Sequence, residues 1–194
     1  MKNIKVQLTG IRPLIMHNGE LADRKNPFTI EIKKLNAKRG KDKTETEHDQ
    51  LERLEWEGAL YWHEDAGLYI PNDNIERCLQ LGAQKSRLGK NVQAAVWVAD
   101  DIVALDYAGP STKDELYKDK RFQLRKSVII NKARIVKVRP MVPTGWKLKF
   151  SLEYDDTVIA DAESLFKCIV DAGALIGLGD WRPKFGRFTV EILK

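Results

Sequence analysis

The chain has 194 residues, 43% of them hydrophobic, with a formal net charge of +5 and a sequence pI of about 9.1. That supports one large domain with its own core; no stretch approaches the roughly 18 consecutive apolar residues of a membrane span, and Met1-Lys-Asn-Ile-Lys-Val is no secretory leader. Cys78 and Cys168, too few for a cysteine metal cage, read as buried thiols of a reducing cytosol, and the positive balance permits a polyanionic partner without demanding one.

Ile4, Val6 and Leu8 alternate with Lys5, Gln7 and Thr9, which predicts a first strand over 4–9. Gly10-Ile-Arg-Pro13 interrupts it, and Leu14–Met16 continues it after a bend. Residues 17–27 read as turns, and 28–35 as a helix with Phe28, Ile32 and Leu35 on one side. The run from Lys33 to Lys43 has almost no apolar content and is expected to be solvated. Thr44 or Thr46 caps a helix over 45–60, whose Glu45, Glu47 and Asp49 suit the positive end of its dipole. Gly67–Ile75 is a strand end followed by a helix start, with the helix over 74–87 carrying Ile75, Cys78, Leu79 and Gly82 at helical spacing. Residues 94–98 and 102–107 read as short strands, and Gly109 opens a charged excursion. Ser127–Arg139, rich in Val and Ile, reads as one strand; Pro143-Thr-Gly145 is a hairpin connection to a half-buried strand over 146–154. A helix over 162–176 and a strand over 187–193 complete the chain.

Without the excursions the order is β-α-β-β-α-β, an α+β arrangement of the ferredoxin-like, or RRM-like, type. The expected organisation is a single domain over 1–194, with an inserted subdomain at about 18–57 and a second excursion at about 90–122. Two helices on one face leave the other sheet face open, as in RNA-recognition modules, although so widely reused a fold does not give function.

The most informative stretch is Gly177-Leu-Gly179-Asp-Trp181-Arg182-Pro-Lys184-Phe185-Gly186-Arg187-Phe188. Its glycines allow close backbone approach, its cations suit phosphates, and Trp181 and Phe185 offer flat faces for bases, a mixture fitting single-stranded nucleic acid. The structural alternative is a helix C-cap followed by a basic turn, with the two aromatics anchoring the loop. Two further groups of cations join it as candidates: Lys33, Lys34, Lys38, Arg39, Lys41 and Lys43; and Arg121, Arg125, Lys126, Lys132 and Arg134, with Lys137 and Arg139 in the same run. Lys132 and Arg134 interrupt an apolar alternation, where an unpaired charge is costly unless it meets solvent or a polyanion. The acidic helix 45–57 is the competing partner for one of these patches.

Catalytic signatures are sparse. With three histidines there is no His-Glu-x-x-His, Gly-x-Ser-x-Gly or phosphate-loop motif, and no cofactor or metal is expected. His17, beside Arg12, is the single acid–base candidate, against the ordinary reading of a structural histidine.

The glycine-rich loop before the last strand and the junction Tyr69-Ile-Pro71-Asn-Asp-Asn-Ile75-Glu-Arg77 resemble the RAMP superfamily, the RNA-binding proteins of CRISPR systems, particularly the backbone subunits that line a guide RNA. Thr9-Gly-Ile-Arg-Pro-Leu14-Ile-Met-His-Asn18 resembles the strand opening of that group. The whole chain also resembles a family of small bacteriophage and prophage proteins sharing the Arg-Pro-Leu-x-Met-His-Asn start and the Gly-Asp-Trp-Arg-Pro-x-Phe-Gly-Arg-Phe end. The resemblance implies a non-enzymatic protein of the bacterial host cytoplasm that binds single-stranded RNA or DNA, with copies able to assemble in a filament or row along the strand. Its rivals are a metal-independent endoribonuclease using His17 and a phage protein that sequesters a host defence component.

Overall fold

The alternation around Val6 and Leu8 produces a strand that buries these two completely and Ile4 in part, and the same rule places Leu148, Phe150, Leu152 and Tyr154 in the core. The computed structural model describes residues 1–38, 40–130, 133–159 and 161–193. In chain order the elements are β1 (Lys2–Gly10), β2 (Leu14–Ile15), α1 (Pro27–Ala37), α2 (Glu45–Gly58), β3 (Trp62–His63), β4 (Gly67–Pro71), α3 (Asn72–Ala83), α4 (Gly89–Ala95), β5 (Val96–Val98), β6 (Ile102–Asp106), α5 (Lys113–Lys118), β7 (Gln123–Ile130), β8 (Ala133–Val142), β9 (Lys147–Tyr154), α6 (Ala162–Asp171) and β10 (Phe188–Leu193). The protein is thus mixed α+β, with a large antiparallel sheet.

The chain forms two units. The first comprises Met1–Ile15, Trp62–Ala108 and Val142–Lys194; the second comprises Met16–Tyr61 and Gly109–Met141. In the first unit the strand order is β10-β1-β9-β6-β4-β3, with β5 also pairing β9. Each described pairing within it is antiparallel. The helices α3 and α6 pack on each other so closely that a Cβ at Gly82 would stand 2.6 Å from the Ala172 backbone nitrogen. Their buried stripes, Ile75, Cys78 and Leu79 on one and Leu165, Cys168 and Ile169 on the other, meet the apolar side of the sheet.

Residues 127–139 do not join this sheet as the expected core strand. The run folds back on itself as the β7–β8 hairpin of the second unit, with Val128 opposite Ile135 and Ile129 opposite Arg134. Both edges of β1 are already taken, by β9 and β10, and it is β6 that lies beside β9. Around the hairpin the second unit is built on α2. Thr44 and Glu47 form a capping box at its start, while near its end Trp56 is buried and donates its indole N–H to the Phe122 carbonyl at 3.1 Å. Smaller differences lie at element ends. Residues 94–95 close α4 rather than open a strand, and 84–86 form a 3-10 turn after α3.

Candidate nucleic-acid interface

Helix α6 starts at Asp161, whose carboxylate accepts from the Ser164 N–H at 2.6 Å, and runs on into a π turn, Ala172–Ile176. The loop that follows is fastened at both ends to the segment after β1. Asp180 N–H donates to the Ile15 carbonyl at 2.8 Å, and Gly186 N–H donates to the Pro13 carbonyl at 2.8 Å. Within the loop, Leu178 N–H donates to the Gly186 carbonyl at 2.9 Å and Arg187 Nε to the Pro183 carbonyl at 2.8 Å. Backbone sits against backbone here. A Cβ at Gly186 would lie 1.8 Å from the Leu178 oxygen, and one at Gly179 would lie 2.2 Å from the Ile15 oxygen, while both residues have φ near +74° in the left-handed region (+73° and +75°).

Two of the loop's glycine N–H groups turn inward. Gly177 N–H is spent on the Ala172 carbonyl at 2.9 Å and Gly186 N–H on Pro13, so neither is directed at a ligand. The glycines at 177, 179 and 186 serve the loop's own packing. The aromatics also face each other: the Trp181 and Phe185 rings lie 6.2 Å apart at 43°, both half-buried, with Lys184 Nζ 5.9 Å from the Phe185 ring.

What the loop presents outward is charge. Arg182 and Lys184 are exposed and Arg187 is half-buried. Sequence reasoning missed a fourth cation. Arg12 N–H and Ile11 N–H both donate to the Arg187 carbonyl, at 3.2 and 2.9 Å, and the Arg12 carbonyl accepts from the buried Trp146 indole at 2.9 Å. The exposed Arg12 is therefore locked beside the loop. The adjacency is tertiary, and only the Arg-Pro step after β1 hinted at a fixed position. Among the described residues, no carboxylate lies within 4.0 Å of Arg12, Arg182, Lys184 or Arg187. Beneath the loop, burial pushes the Cys78 thiol up to about 12 despite the nearby Arg182 charge, and its Sγ donates to the Gly177 carbonyl at 3.2 Å.

The second unit's cations behave differently. Arg125 makes a two-pronged contact with Glu52 at 2.7 and 2.8 Å, and this raises the guanidinium pKa further. Lys137 pairs with Glu55, Arg53 with Glu57 and Asp114, Arg121 with Asp119 and Lys38 with Glu47. Hydrogen bonds from Lys38 and Arg121 hold the Glu47 and Asp119 carboxyls below their ordinary values. The acidic helix thus neutralises Arg125 and Lys137. Lys34 pairs with Glu31 at 2.6 Å, Lys43 donates to Asn36 at 3.1 Å, and Lys33, Lys41, Lys126 and Arg134 are exposed. Arg134 shares the hairpin with Ile129 and Val136, which are 70% and 53% exposed. Arg39 and Lys132 lie outside the described residues.

His17 is exposed, and its carbonyl accepts from the Tyr61 hydroxyl at 3.2 Å. Among the described residues no group of three or more His, Cys, Asp or Glu side chains could hold a metal ion, and no helix is long and apolar enough to cross a membrane. No protein-family model matches the chain, and no curated protein matches it in sequence.

Proposed function

We propose that this chain is a RAMP-like, phage-type protein that binds single-stranded RNA or DNA in the bacterial cytoplasm without cutting it. One observation carries the reading: four cations, Arg12, Arg182, Lys184 and Arg187, lie on the loop and the segment its backbone hydrogen bonds fasten to it, and no described carboxylate comes within 4.0 Å of them. A preformed cationic surface binds a phosphate chain at little ordering cost. The chain order β1, α3, β6, β9, α6, β10 supports a ferredoxin-like reading of the first unit, with β6 in the place foreseen for residues 127–139. Exposed Arg134 with Ile129 and Val136 is a second candidate contact, whereas Arg121, Arg125 and Lys38 are occupied by carboxylates and contribute less.

Four phosphate contacts at the single-strand value give a salt slope of about −2.8 and an affinity loss of roughly 50-fold between about 50 and 200 mM salt. Anisotropy of a labelled single-stranded oligonucleotide, titrated at several salt concentrations, reads this slope. Alanine at all four positions is expected to flatten it by about 2.8 units. Arg12, Arg182 and Lys184 are exposed and add little to folding, and loss of the Arg187 Nε hydrogen bond to Pro183 lowers the unfolding midpoint slightly. An unaltered slope in the folded variant would remove the loop from the site.

A further inference from the structure

The two ends of the first unit's sheet differ. One ends in β3, only two residues long; the other ends in β10, six residues long. Exposed edges are ordinarily blunted by lysine, proline or a bulge. Strand β10 reads Phe-Thr-Val-Glu-Ile-Leu with no cation and no proline, and it pairs regularly with β1 from Gly10↔Phe188 to Lys5↔Leu193.

The apolar layer beneath this edge is also uncovered. Ile192 lies opposite Val6, which is fully buried, so it points to the core side of the sheet, yet it is 45% exposed. Phe166 and Val170 lie one turn apart on α6, and in the π turn that continues it a Cβ at Gly173 would come within 2.3 Å of the Phe188 carbonyl. That side of the helix therefore borders β10. Val170 is 40% exposed and lines a surface groove with Phe166, Ser164, Asp161, Glu163 and Lys167.

We infer that β10 is the contact strand of a symmetric pair, in which two copies of this chain join β10 edges antiparallel into one continuous sheet. The occupant is a second copy because the strand complements itself. A two-fold axis through Val190 sets Ile192 opposite Phe188 of the other copy, an apolar row on the core side. Glu191 then stands opposite Thr189 and diagonal to both Arg187 and Glu191 of the other copy, so no like charges stand directly opposite and each carboxylate has a guanidinium at diagonal distance. A phosphate chain is excluded as occupant by the strand's composition, which offers a carboxylate and no cation. Joining the edges brings the two α6 helices together and covers Val170 and Phe166 on both sides. The inference does not rest on nucleic-acid binding.

Sedimentation velocity and light scattering across a concentration series test it on the full chain without nucleic acid. The expected mass rises toward twice 22.2 kDa. Ile192→Lys and, separately, Val170→Lys each weaken the pair by at least about tenfold, since a charge aimed at the joined apolar layer must be buried. Ile102→Lys, at a comparably exposed apolar residue on β6, leaves the mass curve unchanged. Folding of each variant is checked by its unfolding midpoint. A wild-type chain that stays monomeric at every concentration overturns the inference and leaves the edge to a strand of another protein. So does a pair that survives both lysine substitutions, or a mass that climbs past two copies.

Discussion

Replacing Gly186 by alanine is expected to be among the most damaging single-methyl additions in the protein. At φ +73° an L-residue costs about 1–2 kcal/mol over glycine. The added Cβ would also meet the Leu178 oxygen at 1.8 Å, and since that atom is backbone it must move. Moving it disturbs two hydrogen bonds, Leu178 N–H to Gly186 and Gly186 N–H to Pro13, each contributing about 1 kcal/mol net. The total is about 3–4 kcal/mol, or a drop of roughly 6–16 °C in the midpoint for a chain of this size. Gly145→Ala is the control: φ is +93° but nothing lies within 4 Å of the new Cβ, so the conformational cost of about 1–2 kcal/mol stands alone. Both are read by thermal unfolding followed by circular dichroism. Equal shifts in the two variants would refute the argument that the loop is locked by backbone contact.

Three further outcomes are expected. A double-mutant cycle of Glu52→Gln and Arg125→Ala in urea unfolding gives a coupling of about 0.5–1 kcal/mol that shrinks with salt, as for other part-exposed pairs; Arg125→Ala alone leaves the oligonucleotide salt slope unchanged. Hydrogen bonds depress the carboxyls of Glu47, Asp119, Asp155, Asp156 and Asp161, so their stabilisation is complete above the ordinary 3.8–4.5 and is lost as pH falls through the lower folded values; an unfolding midpoint that is level from pH 7 to 5 and drops below about 4 agrees, whereas a rise on acidification does not. Neither Cys78, pushed up to about 12 by burial, nor Cys168, also raised by burial, reacts with a thiol reagent at pH 8 in the native state; both react in denaturant, and rapid native labelling of Cys78 would overturn its placement.

Period-two alternation made β1 and β9 legible, because each has one face in the core and one in water. The same rule misled at 127–139, where Val and Ile occupy both faces of a hairpin and the polar Asn131-Lys132 step, without glycine or proline, reads equally well as a charged face of one strand. The short strand β6 was visible by its pattern, but its place beside β9 depends on pairing across the chain. At the candidate site, the loop's boundaries and its exposed cations could be read directly. Arg12 could not, because only the hydrogen bonds to the Arg187 carbonyl bring it there. The pairing of Arg125 with Glu52 was foreseeable as an alternative, since an acidic helix facing a basic strand is ordinary charge complementarity, but no local spacing selects the partners.

Strand β1 precedes every other element described, yet both of its neighbours, β9 and β10, lie well over a hundred residues downstream. At 5–20 residues per second it waits roughly seven to thirty seconds for β9 to be synthesised. The second unit has the same property, because α2 precedes by a long interval the segment carrying Phe122, against which Trp56 is anchored. Each unit therefore closes through pairings between segments far apart in the chain, and closing such distant pairings is slow. Until β9 and β10 arrive, the unpaired, alternating β1 is a natural substrate for chaperones that hold extended apolar segments.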